Sequence, residues 1–232
     1  MEIKPLGILG GGQLARMMAL EGHRLGITVK ILCGRADEPA AQVAPYVLGD
    51  PNKLSDLLPF LSSVRVATFE SEFYDSASIE AASAKCGTKV FPQPGLMGVI
   101  QDRLSQKELL DRYDIPTSPW RPVGSPQDAV VAYIAMNGKA VFKKRRFGYD
   151  GYGTFVVKSE SELSALSLQM ATPGMIAERF IRFEREIATV AVRDQKGAVF
   201  FYPFVETKQK DARCLWVNGP VKETKALKTL KT

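Results

Sequence analysis

Short apolar runs alternate with amphipathic stretches over the first 95 residues. The apolar runs have strand length and lie at Ile3–Leu9, Thr28–Cys33, Val64–Phe69 and Lys89–Phe91. The stretches between them have helical periodicity and lie at 13–25, 54–61 and 76–85. Strands that alternate with helices in this way predict an α/β fold whose first domain is a Rossmann-like, doubly wound parallel sheet.

A cluster of helix-breaking residues follows this alternation. Pro92, Pro94 and Gly95 interrupt the pattern, and we place the first domain boundary there. Beyond it, residues 102–113 and 126–136 have helical patterns, separated by an extended connector at 115–119. Three β-rich runs then follow at 175–181, 186–193 and 198–205, and the last residues resemble the start of a helix. The predicted domains are therefore residues 1–95, 96–172 and 173–232.

A basic, glycine-containing hairpin is the most informative feature of the second region. Ala140–Phe142 reads as a buried strand leading to Lys143, and Thr154–Lys158 reads as the returning strand. Four consecutive cations at 143–146 precede three glycines at 148, 151 and 153. Glycine brings backbone N–H groups close to an anion, and the cations neutralise its charge, so the hairpin is typical of a polyphosphate site. A solvated basic edge is the alternative reading.

Composition narrows the possible classes of function. The chain has 232 residues, of which 45% are hydrophobic and 24% charged, with a net charge of +6. Its apolar runs are too short to span a bilayer, so we expect a cytoplasmic protein without a membrane partner. His23 is the only histidine, which argues against a zinc site or a Ser-His-Asp triad. The modest basic charge favours a small anion over a nucleic acid.

The three cysteines are also informative. Cys33, Cys86 and Cys214 are widely scattered and lack metal-ligand spacing. We therefore expect three reduced, mostly buried thiols.

A glycine turn follows the first predicted strand. Gly10, Gly12 and Ala15 fit the dinucleotide fingerprint G-x-G-x-x-A, although this pattern alone is weak. The second strand ends at Cys33 without the acidic residue that a ribose hydroxyl needs, while Arg35 suits a 2′-phosphate. An NADP-dependent reductase is thus one alternative, and close packing of helix on strand is another.

Two carboxylates end the third predicted strand. Glu70 and Glu72 would point in the same direction if the strand continued through them. Ligands of open α/β sheets lie outside the carboxyl ends of the strands, so these side chains are candidates to bind an amine or ribose hydroxyls. Solvated acidic residues are the alternative.

Taken together, five motifs resemble one known family. They are Gly10-Gly-Gly-Gln-Leu-Ala-Arg-Met, Thr68-x-Glu70-x-Glu72, Gln101-Asp-Arg-Leu-x-Gln-Lys107, Lys143-x-Arg-Arg-x-Gly-Tyr-Asp-Gly151 and Glu178-Arg-Phe-Ile-x-Phe-x-x-Glu186. In this order they resemble the ATP-grasp 5-(carboxyamino)imidazole ribonucleotide synthases, the ATPase subunit of phosphoribosylaminoimidazole carboxylase. The resemblance implies a pre-ATP-grasp domain, an ATP-grasp lid domain and a partial ATP-grasp α+β domain.

The resemblance also implies roles for individual residues. Tyr149 and Asp150 would be catalytic. The substrate-binding residues would be Gly12, Gln13, Leu14, Glu70 and Glu72. The ATP-binding residues would be Arg103, Lys143, Gly148, Tyr149, Asp150, Gly151, Tyr152, Gly153, Thr154, Glu178, Arg179, Phe180, Ile181, Glu186 and Gln209.

The implied reaction uses ATP, bicarbonate and aminoimidazole ribonucleotide in purine biosynthesis. Bicarbonate would be activated to carboxyphosphate, and the carboxyl group would pass to the exocyclic amine. The usual magnesium ligands would follow Thr232, so we expect no metal-ligating residue within this chain. A homodimer is the expected assembly.

Several positions depart from the family pattern. Tyr152 replaces a usual cation beside bicarbonate, Phe147 replaces a common glycine, and Gln209 replaces a histidine. An amide hydrogen-bonds but does not become a cation near neutral pH. Two alternatives therefore stay open: a nucleotide-binding chain without catalysis, and an ATP-grasp ligase that acts on another substrate.

Overall fold

The chain forms two compact units, which comprise Met1–Thr117 and Ser118–Thr232. This computed structural model describes residues 4–148, 152–167, 174–210 and 213–229. The predicted roles of Tyr149, Asp150 and Gly151 lie outside the described residues. The division into three domains stays a prediction.

The first unit is built on a parallel sheet. Its strands are β1 Leu6–Leu9, β2 Val29–Cys33, β3 Tyr46–Leu48, β4 Val66–Phe69 and β5 Lys89–Phe91. Its helices are α1 Gln13–Arg24, α2 Leu54–Ser62, α3 Ser76–Cys86, α4 Pro94–Ile100 and α5 Arg103–Arg112, with a 3₁₀ turn at Pro39–Gln42. The strands lie in the order β3-β2-β1-β4-β5, and every pairing between them is parallel. The predicted Rossmann-like architecture is confirmed.

Both faces of this sheet are buried, as a doubly wound fold requires. Ile8 and Ile31 belong to one apolar cluster, whereas their neighbours Leu9 and Leu32 belong to another. Successive strand residues point to opposite faces, so each face has its own core. This explains why the sequence shows continuous apolar runs there.

Two elements of the first unit escaped prediction. The strand Tyr46–Leu48 is short and mostly exposed, so it gives little hydrophobic signal. Helix α4 begins at Pro94, where we had predicted only a break. Proline is tolerated in the first helical turn because the N–H it lacks has no intrahelical partner at that position. The proline cluster therefore starts a helix, and the unit continues to Thr117.

The second unit contains an antiparallel sheet covered by helices on one face. The strands are β6 Trp120–Val123, β7 Ala140–Lys144, β8 Thr154–Val157 and β9 Met175–Arg179, and the helices are α6 Pro126–Ala135 and α7 Glu160–Ser167. The strand order is β6-β9-β7-β8. Phe142 and Ala177 pack with Ala132 and Leu163 in its core. Strand β6 was not predicted, because Pro122 and Arg121 interrupt its apolar pattern.

Short β-structures complete the second unit. They are β10 Glu186–Ala188, β11 Ala191–Arg193, β12 Val199–Phe201, β13 Val205–Lys210 and β14 Arg213–Asn218, followed by α8 Lys225–Thr229. Strands β10, β13 and β14 form one sheet, and β11 pairs with β12. The predicted runs 186–193 and 198–205 are each divided, since Thr189 and Val190 separate two strands and residues 202–204 separate two others. Helices long and apolar enough to cross a membrane do not occur in the described parts.

Candidate functional site

The basic hairpin predicted from the sequence is present. Strand β7 pairs antiparallel with β8, and Lys143 lies opposite Thr154. The backbone N–H of Lys144 donates to the carbonyl of Gly153 over 2.8 Å, which continues the ladder toward the tip. The backbone N–H of Arg145 donates to the carbonyl of Gly174 over 3.3 Å. These bonds connect the cationic segment to both neighbouring strands.

Lys143 lies on the sheet face opposite the helices. Ala140 and Phe142 of the same strand are fully buried in the helix-covered core, so the alternation of side chains directs Lys143 to the other face. There its ammonium Nζ lies 2.5 Å from Oε2 of Glu178 on β9. The Glu178 side chain is 11% exposed and that of Lys143 is 27% exposed. The pair is therefore largely shielded from water, which strengthens the attraction and raises the cost of removing one partner.

The segment after β9 is joined to the strands beside it. The backbone N–H of Arg179 donates to the carbonyl of Pro119 over 2.8 Å. The ammonium of Lys139 lies 3.8 Å from the centroid of the Phe180 ring, a cation–π contact. Ile181, the next residue, is 46% exposed. The segment from Glu178 to Ile181 is therefore held against the neighbouring strands, and it ends in an exposed apolar side chain.

Phe147 and Tyr152, two of the residues that depart from the expected motif, lie beside the tip of the hairpin. Phe147 has φ +59°, in the left-handed region that favours glycine. A residue with a side chain is strained in this backbone conformation, so Phe147 is strained. The side chains of Phe147 and Tyr152 are both largely exposed.

Glu186 and Gln209 lie on the second sheet of this unit. Glu186 is paired with Thr207 of β13, and Gln209 is two residues further along the same strand. These register positions place both residues on one face of the sheet. Gln209 lies at a β-bulge, where the pairing with β14 shifts.

The Gln101-Asp102-Arg103 motif lies at the start of α5, in the first unit. Asp102 is buried, and its Oδ1 accepts from the backbone N–H of Leu104 over 2.9 Å, so it caps the helix. Gln101 donates from Nε2 to the carbonyl of Tyr74 over 2.5 Å. The cap makes Arg103 the first helical residue.

The glycine turn between β1 and α1 is held by Glu70. The backbone N–H of Gly12 donates to Glu70 Oε1 over 2.9 Å, and that of Ala15 donates to Oε2 over 3.2 Å. A Cβ on Gly12 would lie 2.6 Å from the same carboxylate, so a side chain here would displace Glu70 from its present position. Gln13 and Leu14, the other predicted substrate residues of this turn, are exposed at the start of α1.

The condition for the alignment of Glu70 and Glu72, a strand that continues through both residues, is not met. Strand β4 ends at Phe69, so the two carboxylates do not continue a strand. Glu70 is half-buried against the glycine turn, whereas Glu72 is exposed.

Carboxylates around the turn argue against the dinucleotide alternative. A Cβ on Gly11 would lie 2.4 Å from Oε2 of Glu38, and Glu70 lies against Gly12. Two carboxylates in these positions oppose the negative charge of a pyrophosphate. Arg35, the candidate for a 2′-phosphate, donates from Nε to Asp37 over 2.9 Å.

Sequence reasoning missed Tyr74. Its hydroxyl donates to Glu70 Oε1 over 3.2 Å. Burial, followed by the charge of Glu70, raises the pKa of Tyr74, so the hydroxyl stays protonated and acts as a donor. The sequence shows only that Tyr74 follows Glu70 by four residues. Alternation along a strand does not predict a contact at that spacing.

The cysteines differ in exposure more than we expected. Cys33 is buried, Cys86 is half-buried and Cys214 is exposed, and all three are free thiols. Burial and the charge of Glu38 raise the pKa of Cys33, so this thiol is a poor nucleophile. Groups of three or more His, Cys, Asp or Glu side chains able to hold a metal ion are absent from the described residues.

Two protein-family models match consecutive parts of the chain. A family model described as the ATP-grasp domain matches residues 108–231, and one described as the ribonucleotide synthetase preATP-grasp domain matches residues 3–101.

Two related proteins match this chain in sequence over nearly its whole length. It is 31% identical over 219 residues to the N5-carboxyaminoimidazole ribonucleotide synthase of Synechococcus elongatus, covering 94% of this chain and 55% of that protein. The corresponding synthase of Brucella melitensis is 35% identical over 220 residues, covering 90% of this chain and 59% of that protein. The chain thus spans less than two thirds of the length of these relatives.

A solved structure agrees with the sequence comparison. The N5-carboxyaminoimidazole synthase of Aspergillus clavatus, in complex with ADP and 5-aminoimidazole ribonucleotide, superposes with a TM-score of 0.87 at 26% identity. The match covers 99% of this chain and 60% of that protein.

Proposed function

The chain belongs to the ATP-grasp family, and on that premise we propose that it takes part in the ATP-dependent carboxylation of aminoimidazole ribonucleotide. ATP would activate bicarbonate to carboxyphosphate, and the exocyclic amine would accept the carboxyl group. ADP and phosphate would leave. The named relatives and the ligands of the Aspergillus clavatus structure support this choice of substrate class.

The shielded Lys143–Glu178 pair is the observation that carries the nucleotide part of the proposal. Lys143 places a partly exposed ammonium on the sheet face opposite the helices, beside a basic segment and a glycine-containing tip. An ammonium has three donors, so Lys143 can bind a phosphate oxygen while it remains bonded to Glu178. In the second unit we assign the phosphates to Lys143 and the segment 148–154. The role of Arg103, in the first unit, as an ATP-binding residue is a separate proposal.

The base and ribose are assigned to the neighbouring strands. Glu178, Arg179, Phe180 and Ile181 would border the adenine, where exposed Ile181 supplies an apolar contact. Glu186 and Gln209 share a sheet face and would bind the ribose hydroxyls. Carboxylate and amide oxygens are suitable acceptors for hydroxyl donors.

The ribonucleotide is assigned to the first unit. Gly12, Gln13, Leu14, Glu70 and Glu72 follow the carboxyl ends of β1 and β4, where open α/β sheets bind ligands. Tyr149 and Asp150 are the proposed catalytic residues. Such chemistry depends on positioning and charge stabilisation more than on a protein nucleophile.

Magnesium is part of the proposal only as the partner of ATP. Clusters of three or more metal-ligating side chains are absent from the described residues, and the proposed reaction assigns no metal ligand to this chain. A homodimer and a cytoplasmic location complete the proposal; sedimentation at several concentrations tests the dimer.

Calorimetric titration of the chain with ATP and magnesium, followed by phosphate release with bicarbonate and aminoimidazole ribonucleotide, tests the function. We expect ATP binding and phosphate release that depends on both cosubstrates. Binding without release would reject the carboxylation and leave a nucleotide-binding protein. Release that is indifferent to the ribonucleotide would point to another acceptor.

A further inference from the structure

The ribonucleotide side of the proposed site depends on a residue without an assigned role. We propose that Tyr74 is a positioning residue: its hydroxyl fixes the Glu70 carboxylate, which in turn holds the glycine turn and the first turn of α1 in the geometry that receives the ribonucleotide. This inference rests on the proposed function, because it names the ribonucleotide as the ligand of that turn.

Glu70 has three described donors, and they come from three different parts of the fold. Gly12 lies at the end of the glycine turn, Ala15 lies in the first turn of α1, and Tyr74 follows β4. The carboxylate therefore acts as a bridge between the loop after β4 and the start of α1. A carboxylate free to rotate would lose one or both backbone bonds, and the hydroxyl of Tyr74 opposes that rotation.

Tyr74 is itself held on two sides. Gln101 Nε2 donates to its backbone carbonyl over 2.5 Å. Its hydroxyl oxygen would lie only 2.1 Å from a Cβ at position 10, so Gly10, with φ +101°, leaves the space that the tyrosine occupies. The Tyr74 side chain thus packs against the glycine turn while its backbone is bonded to Gln101, which suits a donor with a positioning role.

The two carboxylate oxygens of Glu70 have different hydrogen-bond partners. Oε1 accepts from Gly12 and Tyr74, and Oε2 accepts from Ala15. Each carboxylate oxygen has two acceptor directions, so Oε2 retains capacity for a ligand hydroxyl or amine once the backbone bond is made. Tyr74 selects this arrangement by occupying Oε1.

Tyr74→Phe tests the proposal, with Tyr46→Phe as the matched control. Tyr46 is an exposed tyrosine on β3 of the same sheet. The first measurement is amide hydrogen exchange of Gly12 and Ala15 by NMR on the whole chain. We expect both amides to exchange about tenfold faster in Tyr74→Phe, because a charge-assisted hydrogen bond is lost, and to be unchanged in Tyr46→Phe.

The second measurement is the affinity for aminoimidazole ribonucleotide and for ATP. Tyr74→Phe should weaken ribonucleotide binding about fivefold and leave ATP binding unchanged. In a Glu70→Gln background, the Tyr74 substitution should have little further effect, since it acts through the carboxylate.

Each outcome bears on a different statement. Unchanged exchange at Gly12 and Ala15 would overturn the inference, as would faster exchange with unaltered ribonucleotide affinity or equal weakening in both Glu70 backgrounds. If the wild-type chain binds no ribonucleotide, the proposed function fails, and with it the positioning role, while the exchange data still decide whether Tyr74 holds the turn.

Discussion

At the residue scale, ion pairs and hydrogen bonds decide which groups each candidate side chain can still bind. Lys143 and Glu178 neutralise each other across two strands, yet the ammonium keeps donors for a second anion. Glu70 accepts from two backbone N–H groups and from the Tyr74 hydroxyl, and Oε2 keeps one acceptor direction for a ligand. The sequence identified these residues as candidates, whereas their partners were unknown before the fold.

Lys143→Ala should weaken ATP binding. The substitution removes a charge-assisted phosphate contact, and we expect a loss of about 1–3 kcal/mol in binding free energy by calorimetry. Lys158→Ala is the control, because Lys158 is an exposed cation at the end of β8. Equal affinities for the Lys143 variant and the wild type would reject the phosphate assignment.

At the element scale, two of the sequence motifs contain carboxylates that bind helix starts. Asp102 caps α5 and Glu70 binds the start of α1, as Asp75 outside the motifs caps α3. Motifs that indicate function from the sequence therefore also stabilise helix ends. A residue can serve both ligand binding and helix capping when the helix terminus lies at the edge of a ligand site.

Asp75→Ala should destabilise the first unit in a pH-dependent way. Asp75 accepts from the hydroxyl and N–H of Ser78 and from Ala77, and these bonds lower the pKa of its carboxyl. A depressed pKa stabilises the fold above the unfolded value of about 4, and this contribution disappears as the pH falls through the lower, folded value. We expect a loss of about 1 kcal/mol at pH 7 by urea denaturation.

The same comparison at pH 3 should give a smaller difference between Asp75→Ala and wild type. Glu80→Ala serves as the control, since Glu80 is exposed on the same helix. A deficit that stays constant between the two pH values would show that the carboxylate charge is not involved.

At the scale of the whole molecule, the two units have separate cores. Phe60 lies in the core of the first unit and Phe142 in that of the second, and both are almost fully buried. Several apolar side chains of the later β-structure are exposed in this chain; they are Val199, Phe200, Tyr202, Leu215 and Trp216.

Separate cores predict separable unfolding. Phe60→Ala should lower the stability of the first unit, and Phe142→Ala that of the second, each by about 3–5 kcal/mol, because each leaves a cavity. Hydrogen exchange followed by peptide-resolved mass spectrometry on the whole chain measures each unit by itself. Increased exchange spread evenly over residues 4–117 and 118–229 in both variants would contradict the separation.

Local pattern was enough for the helices and strands with strong periodicity. The runs at 28–33, 54–61, 76–85 and 89–91 match β2, α2, α3 and β5 closely, because buried strands and amphipathic helices leave a direct hydrophobic signal. Exposed β3 and Pro122-containing β6 left none.

The sequence by itself determined the α/β class of the first unit, the basic hairpin and the family, since residue order along the chain is enough for hydrophobic periodicity and motif spacing. The tertiary structure decided which groups meet. Glu178 reaches Lys143, 35 positions earlier in the chain, because β7 and β9 pair, and Tyr74 reaches Glu70 only because β4 ends at Phe69. Contacts of this kind depend on strand order and side-chain direction, which no local pattern specifies.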